Sequence, residues 1–289
     1  MNNLLRELAP ITPEAWAQID NEAKRTLKLM LAARRLVDFN GPLGSDVSAL
    51  SDGRVEDLAS PIEKGVEGRL RKARTLVELR VPFELSRQEL EAIGRGAQDP
   101  NLDPVRHAAR AAAIAEDRAI FLGYPQAHIA GIAEASASSN LTLSEDYEAY
   151  PQVVAEATNK LRGAGVGGPY AIALGPRCFA GLTRTTKGGY PVMEHVRRLL
   201  DGPIVWAPAA DGAIVMSLRG GDFELAVGQD FSIGYLDHTA TTVRLYLQES
   251  FTFRVLAPEA AVPLRYPSAS EGRTGAAASN RAANRERRG

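Results

Sequence analysis

The stretch Val243-Arg244-Leu245-Tyr246-Leu247-Gln248-Glu249-Ser250-Phe251-Thr252-Phe253-Arg254-Val255 decides the fold. Its large apolar residues recur at every second position, the period of a strand with one face against a core. Such a strand needs a neighbour. The matching pattern lies far upstream, where Val77, Leu79, Val81, Phe83 and Leu85 alternate with Glu78, Arg80 and Glu84. Two segments about 160 residues apart therefore belong to one sheet, and what lies between them includes a lobe inserted into a discontinuous domain.

The intervening sequence has its own pattern. Asp103-Pro104 opens an alanine-rich helix running to about Leu122, because proline suits the first helical turn. Ser86 and Glu89 form a capping box for a shorter helix that stops at Gly94 and Gly96. Helix starts at Pro151, Pro176 and Pro191 then alternate with buried strands at 169–174, 204–207 and 213–218, an α/β arrangement. Short strands at 224–227 and 231–236 lead back to the opening stretch.

Upstream, Thr12-Pro13-Glu14 is a helix start. Trp16, Ile19, Ala23, Leu27 and Leu31 follow at helical spacing, with Asp20/Lys24 and Arg34/Asp38 four apart on the surface. Asn40-Gly41-Pro42 ends this long helix. Segments 54–59 and 66–73 read as the arms of a hairpin joined by Pro61-Ile62-Glu63-Lys64-Gly65. The second arm carries Arg69, Arg71, Lys72 and Arg74, leaving few apolar residues for a core. An isolated two-stranded hairpin is marginal in water, so this one is expected to lean on another surface. Residues 268–289 contain no large apolar side chain and are expected to form a disordered tail.

Over 289 residues, 45% apolar and 24% charged, 34 Lys and Arg balance 35 Asp and Glu. No global field draws the chain to nucleic acid or to an anionic membrane. The apolar runs are too short to span a bilayer, and residues 1–10 have no secretory pattern. With Cys178 as the one cysteine, no intrachain disulfide can form, and a cytoplasmic protein is expected.

No Walker A loop, GxSxG elbow, HExxH pair or CxxC spacing occurs. His107, His128, His195 and His238 sit on different elements without a second ligand at metal spacing, and Cys178 reads as a buried small hydrophobe. The expectation is no catalytic residue, no metal and no cofactor. The basic hairpin lacks interleaved aromatics for base stacking, so nucleic acid is not an expected partner.

A series of motifs carries a resemblance. Leu4-x-Arg6-x-Leu8-Ala9-Pro10-Ile11-Thr12-x-x-x-Trp16-x-x-Ile19, Gly41-Pro42-x-Gly44, Leu79-Arg80-x-x-Phe83, Glu116-Asp117-x-x-Ile120-Phe121-x-Gly123, Gly168-Pro169-Tyr170, Gly189-Tyr190-Pro191, Arg219-Gly220-Gly221-Asp222-Phe223, Gly228-Gln229-Asp230-x-Ser232-Ile233-Gly234-Tyr235 and Glu249-x-Phe251-Thr252-Phe253 together resemble the family 1 encapsulins, the linocin-like shell proteins, over about residues 1–264. That resemblance implies an α+β fold of the tailed-bacteriophage major capsid type (Hong Kong 97 type). Its parts would be a peripheral domain over 1–45, 75–134 and 222–267, an extended hairpin over 46–74 and an axial domain over 135–221, with the tail at 268–289 outside.

The implied function is a shell subunit that self-assembles into an icosahedral compartment of about 60 copies. The compartment would enclose a dye-decolorising peroxidase or a ferritin-like protein, serving oxidative stress defence or iron storage. In the family a short C-terminal peptide of the cargo binds between the N-terminal helix and the peripheral sheet. The matching positions are Leu27, Leu31, Arg34 and Asp38 on the helix and Phe231, Ile233 and Tyr235 opposite. Core packing is the competing role, above all for Leu31, Ile233 and Tyr235. The loop Thr185-Thr186-Lys187-Gly188-Gly189-Tyr190 matches the lining of the five-fold pore, with an ordinary surface loop as the alternative. Some relatives hold a flavin through a tryptophan where this chain has Arg87, so no flavin is expected. A phage or prophage capsid protein that packages DNA shares the implied fold and is the competing function.

Overall fold

The computed structural model describes residues 3–60 and 62–267. The expected tail at 268–289 lies outside the described residues. In chain order the helices are α1 (Pro13–Met30), α2 (Arg87–Gly94), α3 (Asp103–Phe121), α4 (Ile132–Ala135), α5 (Tyr150–Gly163), α6 (Pro176–Arg184) and α7 (Val192–Arg197). The strands are β1 (Asp38–Asn40), β2 (Ala49–Asp57), β3 (Arg69–Thr75), β4 (Val77–Ser86), β5 (Leu141–Thr142), β6 (Tyr170–Leu174), β7 (Thr186–Lys187), β8 (Tyr190–Pro191), β9 (Ile204–Trp206), β10 (Ala213–Ser217), β11 (Phe223–Val227), β12 (Ser232–His238), β13 (Thr242–Val255) and β14 (Ala261–Arg265). The chain divides into two compact units.

The first unit takes residues up to Ala135, Ala207–Ala209 and Gly220–Ala257. Its axis is β13, the stretch quoted first. β4 pairs along one edge of it in antiparallel register from Thr242↔Ser86 to Phe251↔Val77. The other edge takes β12 and then β11, and β1 adds in parallel beyond β11. The alternating residues Phe83, Leu85, Leu245, Phe251 and Phe253 are buried, and α3 packs on β4 and β13. Its alanines at 108, 109, 112 and 113 are buried. Small side chains let helix and sheet approach closely.

α1 packs on α3 and buries Ala15, Ile19, Ala23, Leu27 and Met30. Thr12 caps it, its Oγ1 accepting from Ala15 N at 3.3 Å, with Pro13 in the first turn. Ser86 flanks α2 without a side-chain cap; Glu89 instead accepts from Asn101 N at 2.8 Å. The expected capping box is therefore replaced by a loop contact.

Two expectations for this unit fail for one reason. The first helix was expected to run to Asn40, yet α1 ends at Met30, a 3₁₀ turn follows at Ala33–Arg35, and Asp38 begins a strand. Asp117 on α3 causes the change. Its carboxylate accepts from Ala32 N and Ala33 N, both at 2.9 Å, drawing these N–H groups away from helical carbonyls. Arg34 and Asp38 are thus not four apart on one helix. Likewise, Asp20 pairs with Arg6 rather than with Lys24.

The hairpin is β2 with β3, starting earlier on its first arm than the sequence predicts and carrying a register shift between Ser51 and Val55. Among the described residues it pairs with no other strand. Val55, Leu58, Val66 and Leu70 are exposed, and Ile62 is 94% exposed. Opposite charges face across it, Lys72 with Glu56 at 2.9 Å and Arg74 with Asp52 at 2.9 Å. Exposed pairs of this kind contribute about 0–1 kcal/mol each.

Of the described residues, the second unit holds Ser136–Trp206, Ala210–Arg219 and Pro258 to Pro267. Its sheet runs β5-β14-β10-β6-β9. Every residue of β6 and β10 is buried, as expected for central strands covered on both faces. α5 packs on β10 and β14. The resemblance implies a peripheral domain that holds all of 222–267, but β14 pairs instead with β10 in antiparallel register and with β5 in parallel. Val262 and Leu264 are buried there, so the last strand completes the second sheet.

Candidate functional site

An open groove of about 540 Å³ lies in the first unit between α1 and the start of β12. Ala23, Leu27 and Leu31 line it from the α1 side, and Phe231, Ile233 and Leu247 from the sheet. The N-terminal segment closes one wall through Leu4 and Arg6. That segment is held by Tyr235 N donating to Leu4 O at 2.8 Å and by Tyr246 Oη donating to Asn3 O at 3.3 Å. The Tyr246 ring crosses Gly234 so closely that an added Cβ would sit 2.2 Å from it. Only glycine fits there. Arg6 forks onto Asp20 at 2.7 and 3.2 Å and lies 3.8 Å over the Trp16 ring.

Of the residues expected at a peptide site, Leu27, Leu31, Arg34, Phe231 and Ile233 come together here. Two do not line the groove. Asp38 sits on β1, its carboxylate accepting from Gly221 N at 2.6 Å. Tyr235 turns its hydroxyl to His238 Nδ1 at 2.5 Å. Leu27 and Ile233 are buried, whereas Phe231 is half-buried.

Arg34 closes one end of the groove. Its Nε donates to Glu116 at 2.9 and 3.0 Å, its Nη2 to Glu116 at 2.6 Å and to Glu249 at 2.5 Å, and its Nη1 to Asp230 at 2.8 Å. The guanidinium also lies 4.9 Å over the Phe231 ring and 5.1 Å over the Phe39 ring. Burial by itself would lower the Arg34 pKa, but the Glu116 carboxylate, with Glu249 and Asp230 behind it, holds it above the ordinary value. Glu116, Asp117 and Glu249 are fully buried.

One cation therefore faces more carboxylates than it can neutralise. Burial, and then the neighbouring Glu116, push the Glu249 carboxyl well above the usual carboxylate range. Burial also pushes Asp117 up to about 7, against its two backbone hydrogen bonds. The groove thus rests on a cluster in which Glu249 and Asp117 take up protons more readily than free carboxylates do. Its members were legible only as parts of the motif series. Their signal was a charged residue on an apolar face, Glu116 four positions after Ala112 and Glu249 in phase with Leu247 and Phe251.

In the second unit, Thr185 to Tyr190 form a tight hairpin: β7 and β8 pair through Lys187↔Tyr190. Gly188 and Gly189 turn at φ +58° and +83°, the paired left-handed conformation of a two-residue turn. Tyr190 is exposed. Lys187 Nζ donates to Glu148 O at 3.0 Å, and the Lys187 carbonyl contacts His195 Nε2 at 3.2 Å. His195 is half-buried against this loop. Cys178 is buried, 3.3 Å from the Tyr150 hydroxyl. Among the described residues no group of three His, Cys, Asp or Glu is placed to hold a metal ion, and no helix is long and apolar enough to cross a membrane.

Comparison with known proteins decides the family. The model of the Linocin_M18 family, described as encapsulating protein for peroxidase, matches residues 1–252. The chain belongs to the type 1 encapsulin shell proteins. It is 58% identical to the type 1 encapsulin shell protein of Rhodospirillum rubrum over 271 residues, covering 92% of this chain and 97% of that one. Against the type 1 encapsulin shell protein of Mycobacterium tuberculosis it is 48% identical over 266 residues, covering 92% of this chain and all of the other. Solved structures support the capsid-type α+β fold of this encapsulin. The virus-like particle from Pyrococcus furiosus superposes with a TM-score of 0.62 at 16% identity, over 86% of this chain and 98% of that one. The capsid of Myoviridae phage XM1 follows at 0.51 and 10% identity, over 81% and 91%.

Proposed function

We propose that this shell protein assembles into a closed icosahedral compartment of about 60 copies in the cytoplasm, and that it encloses a cargo enzyme whose C-terminal tail lies in the groove between α1 and β12. The observation that carries this reading is the groove itself, open in the folded chain, with an apolar floor at Leu27, Leu31 and Phe231 and charged residues at both ends. A groove of that kind suits an extended tail with alternating apolar residues. The cargo is a dye-decolorising peroxidase or a ferritin-like protein, and catalysis belongs to it rather than to the shell.

The remaining parts fit the same assembly. The β2–β3 hairpin leaves Val55, Leu58 and Ile62 exposed, and a neighbouring copy would cover them. The Thr185-Tyr190 hairpin would line the five-fold opening, with Lys187 as its charge and Gly188 and Gly189 at its tip. The first compact unit would serve as the peripheral domain with its hairpin, and the second, which includes Pro258 to Pro267, as the axial domain. Negative-stain microscopy of the purified chain, with mass spectrometry of proteins that co-purify from the native host, tests the reading. Uniform hollow particles carrying one enzyme are expected. Absence of particles would overturn the shell assignment, and particles filled with nucleic acid would overturn the cargo assignment.

A further inference from the structure

The far side of α1 carries a second depression. About 750 Å³ opens between α1 and α3, lined by Arg25, Lys28, Arg106, His107 and Arg110 around Leu29. Leu29 is 71% exposed, on a helix whose other apolar residues are nearly all buried. The cations are unequally satisfied. Glu22 takes Arg25 at 2.8 Å and Arg106 at 3.3 Å, and Asp103 takes Arg106 as well. Lys28 and Arg110 have no ion pair among the described residues. Among the described residues Asp103 is the one acidic residue lining the depression.

Lys28 also lines the groove on the other side of α1, and Lys24, one turn earlier, lines that groove without an ion pair among the described residues. A run of unpaired positive charge therefore connects the two depressions across the exposed edge of one helix. Such a surface selects negative charge, and the exposed Leu29 adds an apolar anchor. Among the described residues no Phe, Tyr or Trp lines the cleft, so it lacks the large ring platforms on which successive bases stack.

We propose that the α1–α3 cleft is a second docking site, for an acidic segment of the cargo polypeptide that continues from the tail held in the groove. The proposal rests on the cargo reading above and names the chemistry of the partner: glutamates or aspartates beside a large apolar residue. The groove supplies shape for the tail, and the cleft supplies charge selection for what adjoins it. An acidic segment reaching Lys28 and Arg110 neutralises charges that the subunit leaves open.

The test is fluorescence anisotropy of a fluorescein-labelled synthetic peptide of glutamates around a single leucine, which lacks the alternating apolar residues that suit the groove, against the full-length protein, beside a counterpart with lysine in place of glutamate. The acidic peptide is expected to bind, with affinity falling as salt is raised. Arg110→Glu is expected to weaken it by about tenfold or more, while Phe231→Ala in the groove leaves it unchanged. Equal binding of both peptides, or binding unaffected by Arg110→Glu, would overturn the proposal. Loss in Phe231→Ala alone would place the acidic peptide in the groove and also overturn it. Displacement by oligothymidylate at a lower concentration than unlabelled acidic peptide would assign the cleft to nucleic acid. Shells that carry no cargo would remove the cargo reading while leaving the peptide result standing.

Discussion

Glu249 accepts a hydrogen bond from Arg34 Nη2 at 2.5 Å through one carboxylate oxygen, while its other oxygen is buried with no hydrogen-bond partner among the described residues. A protonated Glu249 removes the cost of that second oxygen as a buried charge. The folded state therefore takes up protons that the unfolded chain releases.

The consequence is a pH dependence of stability with a definite sign. Glu249 and Asp117, the latter pushed up to about 7, both have folded pKa values above their unfolded ones of roughly 4. The contribution of both is fully present below about pH 4; that of Asp117 is lost as pH rises through about 7 and that of Glu249 as pH rises through its own raised value, at up to about 1.4 kcal/mol per pH unit for each proton. Glu249→Gln mimics the protonated group: its carbonyl can still accept from Arg34 and its amide can donate to Glu116. Thermal scans at fixed protein concentration are expected to show this variant gaining on the wild type between pH 5.5 and 8. A difference that does not change with pH would contradict the protonated cluster.

Removing the cation has the opposite effect. Arg34→Ala leaves Glu116 and Glu249 buried without a partner, a loss of about 3–5 kcal/mol for a broken buried pair. Arg34→Lys keeps the charge but not the fork onto Glu116, and is expected to fall between the two. The order wild type, Lys, Ala in thermal midpoint checks the claim.

Two groove residues separate binding from folding. Phe231 is half-buried and Ile233 is buried, so Phe231→Ala should leave assembled particles intact while lowering the amount of cargo that co-purifies several-fold. Ile233→Asp puts an unpaired charge into the sheet interior and should reduce soluble protein before any effect on cargo can be read. Gel quantitation of cargo per particle distinguishes them.

The β2–β3 hairpin offers a test of assembly. Replacing Leu58 and Ile62 by Asp removes exposed apolar surface and disturbs no contact within the chain's own sheets. Far-ultraviolet circular dichroism should be unchanged, and size-exclusion chromatography should shift from particles towards small species.

The sequence alone determined the elements whose signal is local. The period-2 runs at 77–85 and 243–255 became the β4–β13 pair, because alternation is written into neighbouring residues. Thr12-Pro13 marked the start of α1, and the unpartnered hairpin was visible in its excess of arginine. The tertiary structure decided what depends on residues distant in the chain. α1 ends at Met30 because Asp117, on another helix, takes the next N–H groups, and nothing between residues 30 and 40 announces that contact. Asp38 consequently falls on a strand rather than beside the groove. β14 joined the second sheet because a short apolar strand carries no record of which edge it will pair with. Arg34 likewise drew its partners from α3, the turn before β12 and the middle of β13. Folding alone brings those carboxylates together, since the charge of each residue is in the sequence and its burial beside the others is not.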